Sequence, residues 1–268
     1  MKYRAEIDGL RAIAVISVIL FHAEFSLFSG GYVGVDVFFV ISGYLITTII
    51  INEKDNKSFS ISDFYERRAR RILPALFSVM FFCFPLAYMW LLPEKMKDFS
   101  QSLVAVSTFS SNILFWMETG YWEDVNNLKP LLHTWSLSLE EQFYLFFPVF
   151  MAALWKLQRR IILLIVIMIA CSSLALSQCF SQIYPSANFF LLPTRGWELA
   201  IGAIISIYFS CEKYKAKKYF SSIILHEIFS LIVLGMILYS VFVFNESTAF
   251  PSIYALIPTI GTGLIILF

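Results

Sequence analysis

The chain has 268 residues, of which 59% are hydrophobic and 15% are charged, and its formal net charge is +1. A soluble globular domain carries about 25% charged residues, so the composition argues against a large soluble domain. A net charge so close to zero also argues against nucleic acid or an acidic protein as the target. The apolar residues fall into runs of roughly 16–22, matching the ~20 residues with which a helix crosses ~30 Å of hydrocarbon. We therefore expect an all-α, polytopic transmembrane helix bundle.

Eight apolar segments are predicted to cross the membrane. In chain order they are Leu10–Leu27, Tyr32–Ile51, Ile72–Leu92, Trp135–Trp155, Ile161–Cys179, Phe189–Phe209, Ile223–Phe244 and Ser252–Phe268. The first follows a segment of mixed acids and bases, which favours a retained membrane helix over a cleaved signal peptide. A ninth stretch, Phe99–Met117, is rich in serine, and we expect it to be re-entrant or interfacial. Because the last segment reaches Phe268 without a polar tail, we expect the bundle to be incomplete at its C-terminus.

The orientation follows from the basic residues. They concentrate near the N-terminus and in three predicted loops, Asn52–Arg71, Lys156–Arg160 and Cys211–Lys218. Cytoplasmic loops are enriched in Lys and Arg, so we expect these segments and the N-terminus on the cytoplasmic side of a bacterial inner membrane. An odd number of crossings must then separate Arg71 from Trp135, which again disfavours a crossing by Phe99–Met117 and leaves Glu118–Pro130 outside.

Arg11 and His22 are the polar pair of the first helix. An ionisable group within a span costs at least ~2.5 kcal/mol, so each calls for an explanation. The eleven-residue spacing brings the two residues to within about 20° of one face, with a rise of ~16 Å between them. Alone, Arg11 fits an interface anchor and His22 fits an interhelical hydrogen bond. Because the two align, we favour a shared pocket.

Arg68 and Arg71 are three residues apart and therefore neighbours on a helix. Pairs of guanidinium groups bind phosphates through bidentate hydrogen bonds. The alternative is a topology anchor that contacts lipid headgroups.

The segment from His133 to Gln142 holds a second polar group. His133 and Glu140 are seven residues apart, hence on one helical face, and Glu141 adds an adjacent carboxylate. Neighbouring carboxylates near a membrane interior are candidates for an acid or a base. Ser136 is a further polar residue of this segment, for contact with substrate or for structure. The alternative is a helix that begins in the outer interface with these side chains in water.

A third group contains Arg195 and Glu198, whose spacing favours a structural ion pair. Asp36, a lone acid near the outer end of the second helix, could partner His22 or Arg195. The spacing Gly30-x3-Gly34 falls in a predicted turn. The four cysteines form no CxxC pair, so plain packing is favoured over a metal site or a disulfide.

These residues together resemble the membrane-bound acyltransferase-3 family, bacterial enzymes that O-acetylate lipopolysaccharide O-antigen, peptidoglycan and other surface glycans. The likeness covers nearly the whole chain, which we interpret as one transmembrane domain, 1–268. It is carried by the opening Glu6–Ile51, the Arg-x10-His pattern at Arg11 and His22, the RxxR pattern at Arg68 and Arg71, the Glu-Glu helix within His133–Pro148, and Pro193–Ala203.

The resemblance implies acetyl-coenzyme A as donor, without a metal, and a hydroxyl of a surface glycan or lipid-linked sugar as acceptor. Arg11, Arg68 and Arg71 would then hold the donor, and His22 would act as base or acyl carrier. We place Glu140, Glu141 and Asp36 with the catalytic group, and His133, Ser136, Arg195 and Glu198 among residues that contact substrate or are structural. Family members have about ten helices and often carry an SGNH hydrolase-like domain after the membrane part, so the resemblance implies that the full-length chain could continue with the last helices and such a domain.

Two alternatives stay open. A transporter or flippase would use His22, Asp36, Glu140 and Glu141 as a proton relay. The absence of an internal sequence repeat and the presence of a basic phosphate grip argue against it. The second alternative is an inactive, truncated scaffold subunit.

Overall fold

The computed structural model describes residues 4–119, 129–211, 223–245 and 247–267, with the backbone alone for 223–228. This part of the chain contains no β-strand, and its α-helices are α1 Ala5–His22, α2 Gly34–Asp55, α3 Ile61–Trp90, α4 Pro93–Ser107, α5 Ser111–Thr119, α6 Thr134–Leu154, α7 Arg159–Ile183, α8 Pro185–Phe190, α9 Leu192–Cys211, α10 Ile223–Val243 and α11 Leu256–Leu267.

The predicted all-α membrane bundle is confirmed. Among the described residues, five helical segments are long and apolar enough to cross a bilayer: Gly31–Asp55, Ile61–Trp90, Thr134–Leu154, Arg159–Ile183 and Pro185–Cys211. Two shorter apolar helices, Phe229–Val243 and Ile253–Leu267, join them. The chain is a multi-pass membrane protein. The first predicted span is displaced, because α1 ends at His22 instead of continuing to Leu27.

Helix α3 is longer than predicted. It begins at Ile61 instead of Ile72, so most of the basic segment predicted as a loop is helical. The Ser60 side chain accepts a hydrogen bond from the Asp63 backbone at 3.4 Å and caps the new first turn. The arginines of this segment therefore lie on a regular helix and not in a loop, so residues three or four apart share one face.

The serine-rich stretch Phe99–Met117 is divided between two helices, α4 and α5. The break falls at Thr108–Ser110, where Phe109 has a positive φ of 52°. A left-handed residue ends the regular hydrogen-bond ladder, and α4 cannot continue through it. One uninterrupted helical crossing by this stretch is thereby excluded, while its re-entrant or interfacial placement stays a prediction.

Two compact units make up the molecule. The first comprises residues 1–52, 150–189 and 193–268, and the second comprises 53–149 and 190–192. Within the first unit, α2 and α9 meet backbone to backbone: a Cβ atom at Gly43 would overlap the Leu199 carbonyl, and one at Gly202 would overlap the Val40 carbonyl. Small residues permit such close packing of membrane helices. The hydroxyl groups of Thr48 and Ser206 lie 2.8 Å apart across the same pair of helices.

The predicted glycine turn also packs closely. Gly31 opens a short 3-10 turn, Gly31–Val33, and Gly34 begins α2. A Cβ atom on Gly31 would meet the Ser17 carbonyl, and one on Gly34 would meet the Ala14 carbonyl. The turn therefore packs directly against α1. The glycine spacing predicted the turn but not this contact.

Arg4 joins the start of α1 to two other helices of this unit. Its guanidinium donates to the Tyr44 hydroxyl at 2.8 Å, to the Ile266 carbonyl at 2.7 Å and to the Glu6 carboxylate at 2.6 Å. Burial opposes ionisation of Glu6, but hydrogen bonds from its own backbone and from Arg4 prevail and hold the pKa of that carboxyl below its ordinary value. The cation also lies at the C-terminal end of α11, where the helix dipole favours it.

Two predictions fall largely outside the described residues. The basic loop Cys211–Lys218 lies almost wholly in 212–222, and the acidic part of Glu118–Pro130 lies in 120–128. At the borders of the second gap, Lys129 and Glu118 form an ion pair.

Candidate functional site

Arg11 and His22 lie on one continuous helix, so the spacing on which their alignment depends is confirmed. Arg11 is partly exposed and pairs with Asp8, with 3.5 Å between Nη1 and Oδ1. His22 is the last residue of α1 and is exposed, its ring centroid 5.2 Å from that of Phe21. An exposed imidazole at a helix end is accessible to a reactant. The shared pocket stays a prediction.

Asp36, Arg195 and Glu198 form a buried triad within the first unit. Arg195 Nη1 lies 3.2 Å from Asp36 Oδ1 and 3.1 Å from Glu198 Oε1. The exposed fractions of the three side chains are 0%, 1% and 0% in chain order. The ion pair predicted between Arg195 and Glu198 is confirmed, and Asp36 meets Arg195, one of its two proposed partners.

Aromatic rings surround the cation of the buried triad. The Arg195 Cζ atom lies 5.4–5.6 Å from the ring centroids of Phe39, Phe189 and Phe250. Rings at this distance stabilise a guanidinium that has left water. Among the described residues the triad is thus enclosed, and it links α2 to α9 through Arg195 and Asp36. The catalytic role assigned to Asp36 remains a prediction.

The second unit carries the arginines of α3, which fall into two classes. Arg67 pairs with Glu53 and Arg70 pairs with Glu66, each at 2.6 Å. Arg71 is exposed and forms no ion pair with any residue that the structure describes. Arg67 and Arg70, the other two arginines of this segment, are thus paired with protein carboxylates, whereas Arg71 has no carboxylate partner among the described residues.

Arg68 is half-buried against α6. Its Cζ atom lies 4.8 Å from the ring centroid of Tyr144 and 6.0 Å from that of Phe64. Glu140 and Glu141 both interact with it electrostatically. We call Arg68, Glu140, Glu141 and Tyr144 the arginine–glutamate cluster.

The two glutamates of this cluster differ in their surroundings. Glu140 accepts a hydrogen bond of 3.0 Å from the Tyr144 hydroxyl. The Oε1 atom of Glu141 is buried and has no hydrogen-bond partner among the described residues. A buried carboxylate oxygen without a partner is costly, so it identifies a position where a proton or a ligand donor is needed.

His133 and Ser136 lie at the entrance to α6. His133 is exposed in the turn just before the helix begins at Thr134, so it is not on the helical face shared with Glu140. The Ser136 hydroxyl donates to the His133 carbonyl at 3.3 Å. Both residues are placed where water or a polar substrate reaches them, and their roles stay predictions.

Two side chains of α6 have contacts that the sequence did not predict. Tyr144 is one, and its position four residues after Glu140, on the same helical face, was the available signal. Gln142 is the other: it donates to the Phe109 carbonyl at 3.1 Å and to Asn112 Oδ1 at 2.8 Å. Because Phe109 sits at the break between α4 and α5, Gln142 supplies a partner that the interrupted helix lacks. The Asn112 amide donates onward to the Phe190 carbonyl at 3.0 Å.

An open groove of about 770 Å³ runs along α3 beside Leu103. Its lining is almost wholly apolar, and its one hydroxyl, on Ser78, donates to the Pro74 carbonyl. None of the predicted site residues lines it, and an apolar groove on a membrane helix suits lipid chains better than a charged donor. In the part of the chain that the structure describes, no three His, Cys, Asp or Glu side chains are arranged to hold a metal ion.

The predicted site residues therefore divide into two sets. Arg11, His22 and the buried triad belong to the first unit, and Arg68, Arg71, Glu140 and Glu141 belong to the second. In the first unit, the three residues of the triad interact with one another. In the second unit, Arg68 interacts with both glutamates.

Comparison with known proteins identifies the family. A peptidoglycan O-acetyltransferase, OatA, of Listeria monocytogenes is 36% identical over 212 residues, which cover 76% of this chain and 34% of the relative. A Bacillus subtilis protein with the provisional name peptidoglycan O-acetyltransferase YrhL is 31% identical over 226 residues, covering 81% of this chain and 35% of the relative. A Staphylococcus aureus protein, provisionally named an O-acetyltransferase, is 39% identical over 158 residues, or 58% of this chain and 26% of the relative.

The chain thus spans about a third of the length of the first two relatives. No solved structure matches it significantly. The model of the acyltransferase-3 family, described as an acyltransferase domain, matches residues 4–268. The chain belongs to the acyltransferase-3 family.

Proposed function

We propose that this chain is the membrane part of an O-acetyltransferase that moves an acetyl group from acetyl-coenzyme A to hydroxyl groups of peptidoglycan. The observation that carries the proposal is the family match over residues 4–268, together with relatives named peptidoglycan O-acetyltransferases. Among the acceptors that the sequence leaves open, those names favour peptidoglycan over O-antigen or exopolysaccharide. The enzyme would lie in a bacterial inner membrane with its N-terminus in the cytoplasm.

The donor would be held by the arginines of the RxxR pattern. Coenzyme A carries several phosphate charges, and guanidinium groups bind phosphates through paired, charge-assisted hydrogen bonds. Arg71 is exposed and makes no ion pair with the described residues, and Arg68 stands one helical turn away. Arg67 and Arg70 already form ion pairs with Glu53 and Glu66. Their charges are therefore less available to a phosphate than that of Arg71.

His22 would serve as the base. In the transfer, the acceptor hydroxyl oxygen attacks the thioester carbonyl, a C–O bond forms and the C–S bond breaks. The hydroxyl proton passes to the imidazole and then to the departing thiolate, which leaves as coenzyme A. Histidine suits this role because its pKa is ordinarily close to neutral, so it can accept and return a proton. The exposure of His22 at the end of α1 supports an accessible imidazole.

Donor binding is the first test. We expect the purified chain in lipid vesicles to bind acetyl-coenzyme A, and the double variant R68A/R71A to bind it about 100-fold more weakly, because two charge-assisted contacts are lost. The control is R67A/R70A, which removes the same charge from the same helix and should keep the affinity within about threefold. Equal losses in both double variants would show a general effect of charge and contradict the donor site.

Transfer is tested with radiolabelled acetyl-coenzyme A and peptidoglycan fragments. The unmodified chain is expected to label the glycan, and H22A is expected to label it at least about 100-fold more slowly while still binding the donor. H133A, which removes another exposed imidazole, is the comparison. Labelling by H22A at the unmodified rate would remove His22 from the mechanism, and no labelling by the unmodified chain would contradict the proposed function.

A further inference from the structure

Tyr144 links the two kinds of charge in the arginine–glutamate cluster. Only 4% of its surface is exposed. Its hydroxyl donates to Glu140 at 3.0 Å, and its ring centroid lies 4.8 Å from the Arg68 guanidinium carbon. One rigid side chain therefore contacts a cation on α3 and a carboxylate on its own helix.

We propose that Tyr144 is a positioning residue for acetyl transfer: its ring orients Arg68 toward the donor phosphates, and its hydroxyl orients the Glu140 carboxylate. The inference rests on the proposed function, in which Arg68 binds acetyl-coenzyme A. Tyr144 itself touches no reacting atom.

The geometry at Arg68 suits donor binding. A guanidinium group is planar, and its N–H bonds point outward in that plane. Contact with an aromatic ring uses the face of the plane, so the edge stays available for phosphate oxygens. Phe64, one turn earlier on α3, lies 6.0 Å from the same carbon and adds a second apolar neighbour. A long, flexible arginine is thus restrained before the donor arrives, which lowers the entropy lost on binding.

The geometry at Glu140 has a different consequence. Tyr144 follows Glu140 by four residues, so the two side chains are neighbours on the α6 surface. The hydroxyl donates to Oε2 and so restrains the rotamer of the Glu140 carboxylate. Since Glu141 is held beside it with a buried oxygen that lacks a hydrogen-bond partner among the described residues, a fixed Glu140 defines where a proton can be shared.

The experiment separates the ring from the hydroxyl. Y144F keeps the ring and removes the hydroxyl, so KM for acetyl-coenzyme A should stay within about twofold while kcat falls about tenfold. Y144L removes both and should also raise KM about fivefold, because the contact with the Arg68 guanidinium is lost. R68K keeps the positive charge without a planar group and should raise KM by a similar factor. If the ring acts through the guanidinium, adding Y144L to R68K should raise KM no further, whereas an additional rise would contradict that role.

Tyr65 provides the matched control. It lies on α3 and donates to the Leu145 carbonyl of α6 at 2.6 Å, one residue along α6 from Tyr144. Y65F therefore removes a neighbouring tyrosine hydrogen bond, from α3 to α6, and leaves Arg68 and Glu140 in place. Its kcat and KM should match those of the unmodified chain.

The outcomes are distinct. A loss of kcat in Y144F with an unchanged KM, absent from Y65F, supports the inference. Equal kinetic losses in Y144F and Y65F, or none in either, would overturn it and leave Tyr144 a packing residue. If the unmodified chain transfers acetyl and only the Tyr144 expectations fail, the proposed function stands without this inference. If the unmodified chain transfers no acetyl group, both the proposed function and this inference are contradicted.

Discussion

The buried triad and the arginine–glutamate cluster are built from the same chemical groups, an arginine and two acids, in opposite environments. In the triad, Asp36, Arg195 and Glu198 are at most 1% exposed. In the cluster, Arg68 and both glutamates are only half-buried. Composition therefore does not distinguish the two groups, whereas exposure does, and exposure decides which of them an external ligand could reach.

The packing of the helices around each group explains the difference. Around the triad, α2 and α9 approach until a Cβ atom at Gly43 or Gly202 would overlap the facing backbone. By contrast, Arg67, Arg70 and Arg71 of α3 are exposed, and Arg68 is only half-buried. Close helix contact excludes solvent and ligand from the triad, while the loose environment of α3 leaves its arginines within reach.

The largest expected effect is on the triad. R195A should destabilise the protein by about 3–5 kcal/mol, because it leaves two buried acids without their cation. The measurement is unfolding in detergent micelles, with membrane yield alongside. R67A, which breaks a pair at 53% and 24% side-chain exposure, should cost about 1 kcal/mol or less. If R195A unfolds with the midpoint of the unmodified protein, the triad does not hold this unit together.

A smaller loss is expected when the helix contact itself is disturbed. G43V places a branched side chain against the Leu199 carbonyl and should cost about 2 kcal/mol or more through overpacking. G235A is the control, because nothing lies within 4 Å of a Cβ atom at that position. Unfolding midpoints in micelles measure both variants. Tolerance of G43V would show that close packing of α2 on α9 is not what seals the triad.

The smallest effect belongs to D36N. The amide removes one acid and leaves Arg195 paired with Glu198 at 3.1 Å, so one cation faces one anion. We expect a loss of about 1 kcal/mol, the scale of one exchanged hydrogen bond, together with transfer activity near that of the unmodified chain. Unfolding and radiolabel transfer are measured on the same preparation. An intact fold with abolished transfer would instead give Asp36 the catalytic role assigned from the sequence.

The helix boundaries show which parts of the fold could be predicted from local sequence. Apolar runs located the spans because a backbone in lipid must satisfy its own hydrogen bonds, and a helix does so with ~20 apolar residues. Hydropathy did not predict the start of α3, because its first turns are charged. The N-cap Ser60, with an acidic residue at Asp63, is nevertheless a sequence signal for a helix start. The break at Phe109 had no comparable signal, since a positive φ at phenylalanine depends on partners such as Gln142.

The candidate site was predictable in its residue types and only partly in its pairings. Arg195 with Glu198 followed from the spacing of a helix, because side chains three apart are neighbours whatever the fold. Arg68 and Arg71 were singled out for the same reason. The pair of Arg70 with Glu66 follows from the same local rule, because the two residues are four apart on α3. The pair of Arg67 with Glu53 joins residues 14 apart in the chain, so only the packed structure shows it.

By itself the sequence determined that this is a helical, multi-pass membrane chain, with Arg11 and His22 on one helix and an acyltransferase pattern along its length. The first two properties follow from composition and helical period, which are local, whereas the acyltransferase pattern is a resemblance to a known family. Only the tertiary structure decided that Asp36 meets Arg195 in a sealed interior and that Tyr144 joins Arg68 to Glu140. The reason is physical: burial and long-range pairing depend on how closely helices distant in the chain approach, and no local spacing records that distance.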